Sequence, residues 1–245
     1  MFENIGEITL LFWRTLRALP FAWRQRQKVF DQLFEIGNAS LLMVCVLSFF
    51  IGAVIALQTG PILVERSLTS AVGGIVGIAM AKELAPVMMA ILIAGRIGSA
   101  MAAEIGSMQV YQEIDALRTM NINPIHYLVL PRMIAIAIAL PMLVMFSILV
   151  GWFGGAVVAQ ANSQIAIPLQ AFYSDLRSVV LTKDVWNGVF KSFCFAVIVG
   201  VVCCHQGLAT IGGPRGIGRS VTKAVVNSIV LIVIFDYLLT RVLNQ

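Results

Sequence analysis

The stretch from Lys82 to Pro124 decides the fold, and it reads KELAPVMMAILIAGRIGSAMAAEIGSMQVYQEIDALRTMNINP. Charges stand at Lys82, Glu83, Arg96 and Glu104 in a segment otherwise apolar enough to lie in lipid. A charged side chain at the centre of a membrane helix costs about 2.5–3.5 kcal/mol on insertion scales. Such charges therefore mark a substrate path, a partner contact or a buried pair.

The composition predicts an integral membrane protein. Of 245 residues, 59% are hydrophobic and 12% are charged, and the mean hydropathy is +0.91. A soluble globular chain carries about 25% charged residues. We expect a single all-α domain over residues 1–245.

Five segments are long and apolar enough to cross a bilayer, which takes about 20 residues each. They are residues 37–57, 72–103, 127–159, 186–204 and 224–243. The third is long and contains Pro131 and Pro141, so two shorter spans are an alternative. Because no charged loop divides it, we predict one span.

An amphipathic helix over residues 5–30 precedes the spans. Its apolar residues recur at helical spacing with cations between them. These apolar residues are Ile8, Leu11, Phe12, Leu16, Leu19 and Trp23. The pattern predicts a helix lying in the membrane interface, with its basic groups toward anionic headgroups. A sixth span is the alternative, which five cations disfavour.

The distribution of lysine and arginine predicts the orientation. With a cytoplasmic N-terminus, 11 of the 17 cations lie on the cytoplasmic side and 6 lie outside or within spans. The 11 are Arg14, Arg17, Arg24, Arg26, Lys28, Arg96, Arg118, Arg132, Arg215, Arg219 and Lys223. The C-terminus is then periplasmic, and the net charge of +5 reflects topology.

Small residues recur every fourth position in three rows, which lets helix backbones approach closely in lipid. The rows are Gly73/Gly77/Ala81/Ala85, Ala94/Gly98/Ala102/Gly106 and Gly151/Gly155/Ala159. Two of the rows are on the second span. We therefore predict that this span is central.

Enzyme motifs are absent. The chain has no HExxH, GxSxG or Walker A motif, and its four cysteines lack metal-ligand spacing. We expect no catalytic residue, metal site, bound cofactor or nucleic-acid partner.

Glu83 lies about one third of the way into the second span. A carboxylate there must be paired, neutralised or open to a water-filled cavity. A structural partner on another helix and a polar contact to a lipid headgroup both remain open. Arg96 and Glu104 are eight residues apart on nearly one helix face, and we expect them to anchor the cytoplasmic end of the span and pair with the following loop.

Residues 107–120 predict a short cytoplasmic helix. Met108, Tyr111, Ile114 and Leu117 repeat every third residue, and Pro124 lies just beyond the end. Acidic rather than basic residues fill the other face, which favours a partner-docking element over a helix lying on headgroups.

The run from Lys82 through Arg132 resembles the motif of the MlaE/YrbE-type permeases, the membrane subunits of MCE-associated ABC lipid transporters. The resemblance extends to LQTG at Leu57–Gly60, to GIGRSVTKAVV at Gly216–Val226 and to the FDYLLT end. It covers most of the chain.

The resemblance implies a homodimer of five-span subunits with an interfacial helix, two cytoplasmic ATPase subunits that carry ATP and magnesium, and a hexameric MCE protein on the outer face. Some systems add a STAS-domain subunit. The implied substrate is phospholipid at the inner membrane. The implied lipid-cavity residues are Ile55, Ile62, Leu63, Arg66 and Glu83, and the implied ATPase-coupling residues are Tyr111, Glu113, Ile114, Asp115 and Leu117.

Two alternatives stand beside a lipid permease. One is an ion-coupled secondary transporter that uses Glu83, although the chain shows no inverted repeat. The other is a scaffold that only anchors other subunits, which the intramembrane charges disfavour.

Overall fold

A computed structural model describes residues 2–18, 20–21 and 25–243. In this part of the chain the backbone forms helices, turns and short connections, with no β-strand. The α-helices are α1 (Phe2–Ala18), α2 (Arg26–Glu65), α3 (Val72–Ala79), α4 (Ala85–Ile93), α5 (Ser99–Val110), α6 (Glu113–Thr119), α7 (Leu130–Ala161), α8 (Leu169–Val179), α9 (Thr182–Leu208) and α10 (Gly213–Leu243).

The five predicted spans are confirmed as helices long and apolar enough to cross a membrane. They are Arg26–Glu65, Thr69–Val110, Ile125–Ala161, Thr182–Leu208 and Gly213–Leu243. The third is one helix that contains Pro141, so the alternative of two spans is wrong. Large apolar side chains on α2 and α10 are exposed, such as Leu42 at 77% and Val242 at 68%, as expected for surfaces that face lipid or another subunit.

The helices extend beyond the predicted boundaries. The first span has 40 residues and the second 42, and at 1.5 Å per residue each is about 60 Å long. The hydrocarbon core of a bilayer is only about 30 Å thick. Hydropathy marks only the lipid-embedded part of a helix, because its polar ends continue into the headgroups and water.

The amphipathic helix predicted over residues 5–30 is divided. Helix α1 ends at Ala18 and α2 begins at Arg26. Pro20 lacks a backbone N–H and disfavours helical geometry in the residue before it, which accounts for the end of α1. Leu19, Trp23 and Arg24, which belong to the predicted pattern, lie outside the described residues. The interfacial position of α1 stays a prediction.

Two π-helical turns interrupt the second span, at Met80–Leu84 and Ala94–Gly98. A third, Ile125–Val129, begins the third span. In the first of these turns the N–H of Ala85 donates to the carbonyl of Met80, five residues back. Such turns change which way the following side chains point, and they occur frequently at functional sites.

The chain forms two compact units. Unit 1 comprises Met1–Asn38, Ala90–Leu140 and Phe193–Gln245, and unit 2 comprises Ala39–Met89 and Pro141–Ser192. Helices α2, α4, α7 and α9 each contribute residues to both.

The small-residue rows lie at close helix contacts, as predicted. In unit 2, a Cβ on Gly73 would meet the carbonyl of Phe172 in α8, and one on Gly155 would meet Val76 of α3 at 2.9 Å. In unit 1, a Cβ on Gly98 would meet the sulfur of Cys203 in α9 at 2.7 Å. Within each unit the second span therefore packs against several neighbours without room for larger side chains.

Gly52→Ala should destabilise the protein, because the new methyl group would meet the backbone carbonyl of Gly151 and force α2 and α7 apart. Overpacking of this kind costs about 1–3 kcal/mol. Gly37→Ala is the matched control on the same helix, since no atom lies within 4 Å of its Cβ position. Heating the detergent-purified protein should give a lower unfolding temperature for Gly52→Ala alone, and equal temperatures for the two variants would contradict the packing.

Candidate functional site

The π-helical turn at Met80–Leu84 and the start of α9 form a cluster of charges in unit 2. Lys191 Nζ donates to Glu83 Oε2 at 2.8 Å and to the backbone carbonyl of Lys82 at 3.2 Å. Lys82 Nζ lies 3.0 Å from Asp184 Oδ1. In one pair the lysine is on α9 and the acid is on the turn, and in the other the lysine is on the turn and the acid is on α9. The formal charge of the four groups is therefore zero. We call Lys82, Glu83, Asp184 and Lys191 the charge cluster.

Close backbone packing makes these pairs possible. Asp184, Gly188 and Lys191 are four and three residues apart, so they share one face of α9. A Cβ on Gly188 would meet the carbonyl of Ala81, so α9 lies directly against the turn. Asp184 also accepts the N–H of Leu181 through Oδ2 at 3.1 Å, which fixes its carboxylate at the helix start.

The two partners of the central pair differ in exposure. The Lys191 side chain is 3% exposed, whereas that of Glu83 is 40% exposed. A buried ammonium needs an anion, and Glu83 provides it. A carboxylate has acceptor sites on two oxygens, and the exposed part of Glu83 can accept further donors from outside.

The structure thus identifies a structural partner for Glu83, one of the two roles that the sequence left open. The second role, a polar contact to a lipid headgroup, stays a prediction that is compatible with this pair, because 40% of the Glu83 side chain is exposed. Lys191 and Asp184 are not among the site residues predicted from the sequence. A lysine seven residues after an aspartate inside an apolar span was the available signal, since that spacing places both on one helix face.

The other four predicted lipid-cavity residues also lie in unit 2, at the end of α2. Ile55, Ile62 and Arg66 are seven and four residues apart, which places them on nearly one face, with Leu63 beside Ile62. Ile62 is exposed, Ile55 and Leu63 are half-buried, and Arg66 is exposed just after the helix ends at Glu65. Among the described residues, the Arg66 side chain makes no ion pair. That these residues share a lipid cavity with Glu83 stays a prediction.

The predicted anchoring charges lie in unit 1. Glu104 Oε2 accepts from Arg132 Nη2 at 2.7 Å, and Arg132 is buried in α7. Glu104 therefore pairs with the third span, and not with the loop between the second and third spans as predicted. Arg96 is exposed, and its guanidinium makes no ion pair within the described residues. Its role as an anchor stays a prediction.

The helix predicted over residues 107–120 is divided. Helix α5 continues to Val110, Gln112 has a left-handed backbone with φ 61°, and α6 covers only Glu113–Thr119. A left-handed residue ends one helix and redirects the chain. The every-third-residue pattern crosses this break, so it does not describe one helix face.

The break separates the predicted coupling residues by exposure. Ile114 is fully buried and fixes α6 to unit 1, whereas Tyr111 is 65% exposed and Glu113 is also exposed. Asp115 is exposed too, and its Oδ1 accepts from Arg118 Nη1 at 3.2 Å. Leu117 is half-buried. The exposed groups around α6 can contact another protein while Ile114 anchors the helix.

Five membrane-spanning helices, charges paired within them and a short polar helix between two spans together define a multi-pass membrane protein of the transporter class. The family model described as Permease MlaE matches residues 29–242. The chain belongs to the MlaE permease family.

Curated relatives agree with this assignment. A probable ABC transporter permease protein of Synechocystis is 37% identical over 220 residues, which cover 90% of this chain and 83% of the relative. One of Rickettsia felis is 36% identical over 98% of this chain and 92% of its own length. The Arabidopsis protein TRIGALACTOSYLDIACYLGLYCEROL 1, chloroplastic, is 36% identical over 91% of this chain and 62% of its own length. The chain is thus a non-enzymatic permease subunit, and a separate ATPase powers it.

Glu83→Gln should destabilise the protein more than Lys191→Met. The first substitution removes a carboxylate that pairs with the buried Lys191 ammonium at 2.8 Å, and breaking a buried pair from one side costs about 3–5 kcal/mol. The second leaves a carboxylate that water can reach, so its cost is smaller. The double variant Glu83→Gln/Lys191→Met should regain stability. Thermal unfolding in detergent measures all three, and an equal or reversed order of the single variants would contradict the burial of Lys191.

Proposed function

We propose that this chain is the permease subunit that moves phospholipid between the inner membrane and an MCE protein. The observation that carries the proposal is the Glu83 carboxylate, which Lys191 fixes in place while 40% of the side chain stays exposed. A lipid headgroup offers ammonium or hydroxyl donors to such a carboxylate. The name of the Arabidopsis relative contains that of a diacylglycerol lipid, which supports a lipid substrate.

In this proposal the end of α2 supplies the apolar side of the cavity. Ile55, Ile62 and Leu63 would contact acyl chains, and the exposed Arg66 would meet a phosphate. Glu83 would receive the headgroup. The pairing of Glu83 with Lys191 supports this role because it keeps the carboxylate in one position before lipid arrives.

The proposed partners are a second copy of this chain, a cytoplasmic ATPase dimer, a hexameric MCE protein on the outer face and, in some systems, a STAS-domain subunit. ATP and magnesium would bind to the ATPase. Tyr111, Glu113, Ile114, Asp115 and Leu117 would form the ATPase-coupling surface. The exposure of Tyr111 and Glu113 beside the buried Ile114 supports this role.

The proposed location is the inner membrane, with the N-terminus cytoplasmic and the C-terminus periplasmic. The excess of lysine and arginine on one side supports this orientation. It puts α6 on the side where ATP is available.

An ion-coupled secondary transporter is less well supported. Proton uptake by Glu83 would neutralise a carboxylate that pairs with the buried Lys191 ammonium at 2.8 Å, and breaking a buried pair from one side is strongly destabilising. A carboxylate that binds and releases protons in each transport cycle would have to break this pair every time.

Lipid transport by the charge-cluster variants separates a lipid contact from a purely structural role. Glu83→Gln should lower ATP-dependent transfer of labelled phospholipid in proteoliposomes by about ten-fold, the effect of losing one charge-assisted hydrogen bond of about 1.5 kcal/mol. Glu65→Gln is the matched control, since Glu65 is exposed at the end of α2. The double variant Glu83→Gln/Lys191→Met should regain stability and remain defective in transport. If transport returns with stability, Glu83 serves only as a counter-ion and the lipid contact is wrong.

Charge reversal on α6 tests the ATPase-coupling surface. Glu113→Lys should reduce the amount of ATPase that co-purifies with the chain, and Glu113→Lys/Asp115→Lys should abolish it, because both side chains are exposed to a partner. The Asp115–Arg118 pair that the double variant also breaks is exposed on both sides, so its loss costs the fold little. Glu65→Lys makes the same charge change at an exposed position in unit 2 and should retain the ATPase. A pull-down in which the double variant retains the ATPase would contradict the role of α6.

A further inference from the structure

A basic cavity of about 530 Å³ lies in unit 1, between α1, the segment after α6 and the start of the third span. Its walls include Leu11, Arg14 and Arg17 of α1 together with Arg118, Asn123 and His126. We call this cavity the elbow pocket. We propose that the elbow pocket binds the phosphodiester headgroup of an anionic membrane lipid. The residues proposed above to contact transported lipid belong to unit 2, whereas those that line the elbow pocket belong to unit 1. Headgroup binding in the elbow pocket is therefore a property additional to transport.

The charge of the pocket fits an anion. Among the residues that the structure describes, three arginines and a histidine line the pocket and no acidic residue does. Asp115 compensates part of the Arg118 charge through the 3.2 Å ion pair, and the pocket still keeps the charges of Arg14 and Arg17. Glu7, one turn before Leu11, lies 3.1 Å from His205 and is not among the lining residues.

The guanidinium groups suit a phosphate in particular. Arginine presents a planar set of donors that matches two phosphate oxygens at once. Arg17 stacks on the ring of Trp13, with its Cζ 5.5 Å from the ring centroid, and this restricts the side chain before any ligand arrives.

The start of the third span contributes further to anion binding. Asn123 Oδ1 accepts the N–H of Ile125 at 3.0 Å, and the helix from Ile125 to Ala161 begins there. His126 lines the pocket one residue later and packs against Phe21 with ring centroids 4.7 Å apart. The positive end of the helix dipole therefore adds to the side-chain charges.

The helix that carries two of the arginines favours a lipid over an acidic protein segment. Leu10, Trp13 and Leu16 of α1 are large, apolar and exposed. Exposed apolar and indole side chains beside arginines are typical of helices that lie at headgroup depth. Basic pockets between membrane helices bind anionic headgroups. The apolar side chain of Leu11, which lines the pocket, suits the glycerol end of such a lipid.

Lipid titration of the reconstituted full chain with its ATPase tests the proposal. The complex is placed in phosphatidylcholine nanodiscs with increasing phosphatidylglycerol, and native mass spectrometry counts the phosphatidylglycerol molecules retained per chain. The wild-type chain should retain one more than Arg14→Gln/Arg17→Gln. The variant should need about thirty-fold more phosphatidylglycerol to reach the same retention, since each basic group near a membrane raises the affinity for anionic lipid about five-fold.

Arg215→Gln/Arg219→Gln is the matched control, because it removes two exposed arginines of unit 1 that do not line the pocket. It should behave as the wild type. Equal retention by the pocket variant and the wild type would overturn the proposal. Displacement of the retained lipid by millimolar inorganic phosphate would assign the pocket to a soluble phosphate instead. Loss of the ATPase from the pocket variant, with phosphatidylglycerol still bound, would assign it to an acidic protein segment.

Discussion

The Lys191 ammonium is the constraint on which the charge cluster depends. A lysine buried in an apolar span must find an anion and further acceptors, or it destabilises the fold. Lys191 finds both on one π-helical turn, in the Glu83 carboxylate and the Lys82 carbonyl. Gly188 lets α9 lie directly against this turn, and the second pair, between Lys82 and Asp184, joins the same two elements.

The same requirement gives Glu83 a fixed position without burying it. A carboxylate that was free to rotate would lose conformational entropy whenever it bound a ligand. Lys191 removes that cost by holding one carboxylate oxygen at 2.8 Å, and the exposed part of the side chain remains available. Structural pairing and ligand contact are therefore compatible roles for one residue, because a carboxylate can accept several hydrogen bonds.

The length of the apolar segments predicted the number of membrane-spanning helices well and the ends of the helices poorly. The five spans follow from length and hydropathy alone, since few soluble helices are so apolar. The break at Gln112 could not be predicted in this way, because glutamine has no particular preference for the left-handed backbone that it adopts here. The rows of small residues predicted close contacts but not their partners, such as Gly98 with Cys203.

The sequence by itself determined that this protein is an all-helical membrane protein and which five segments are apolar enough to cross a membrane. It also determined which residues carry unusual charge. These properties depend on local composition and on the cost of placing polar groups in lipid. Only the tertiary structure decided that Glu83 pairs with Lys191 and Glu104 with Arg132. Those partners are 108 and 28 residues apart, and their pairing depends on which helix faces meet, which no local pattern specifies.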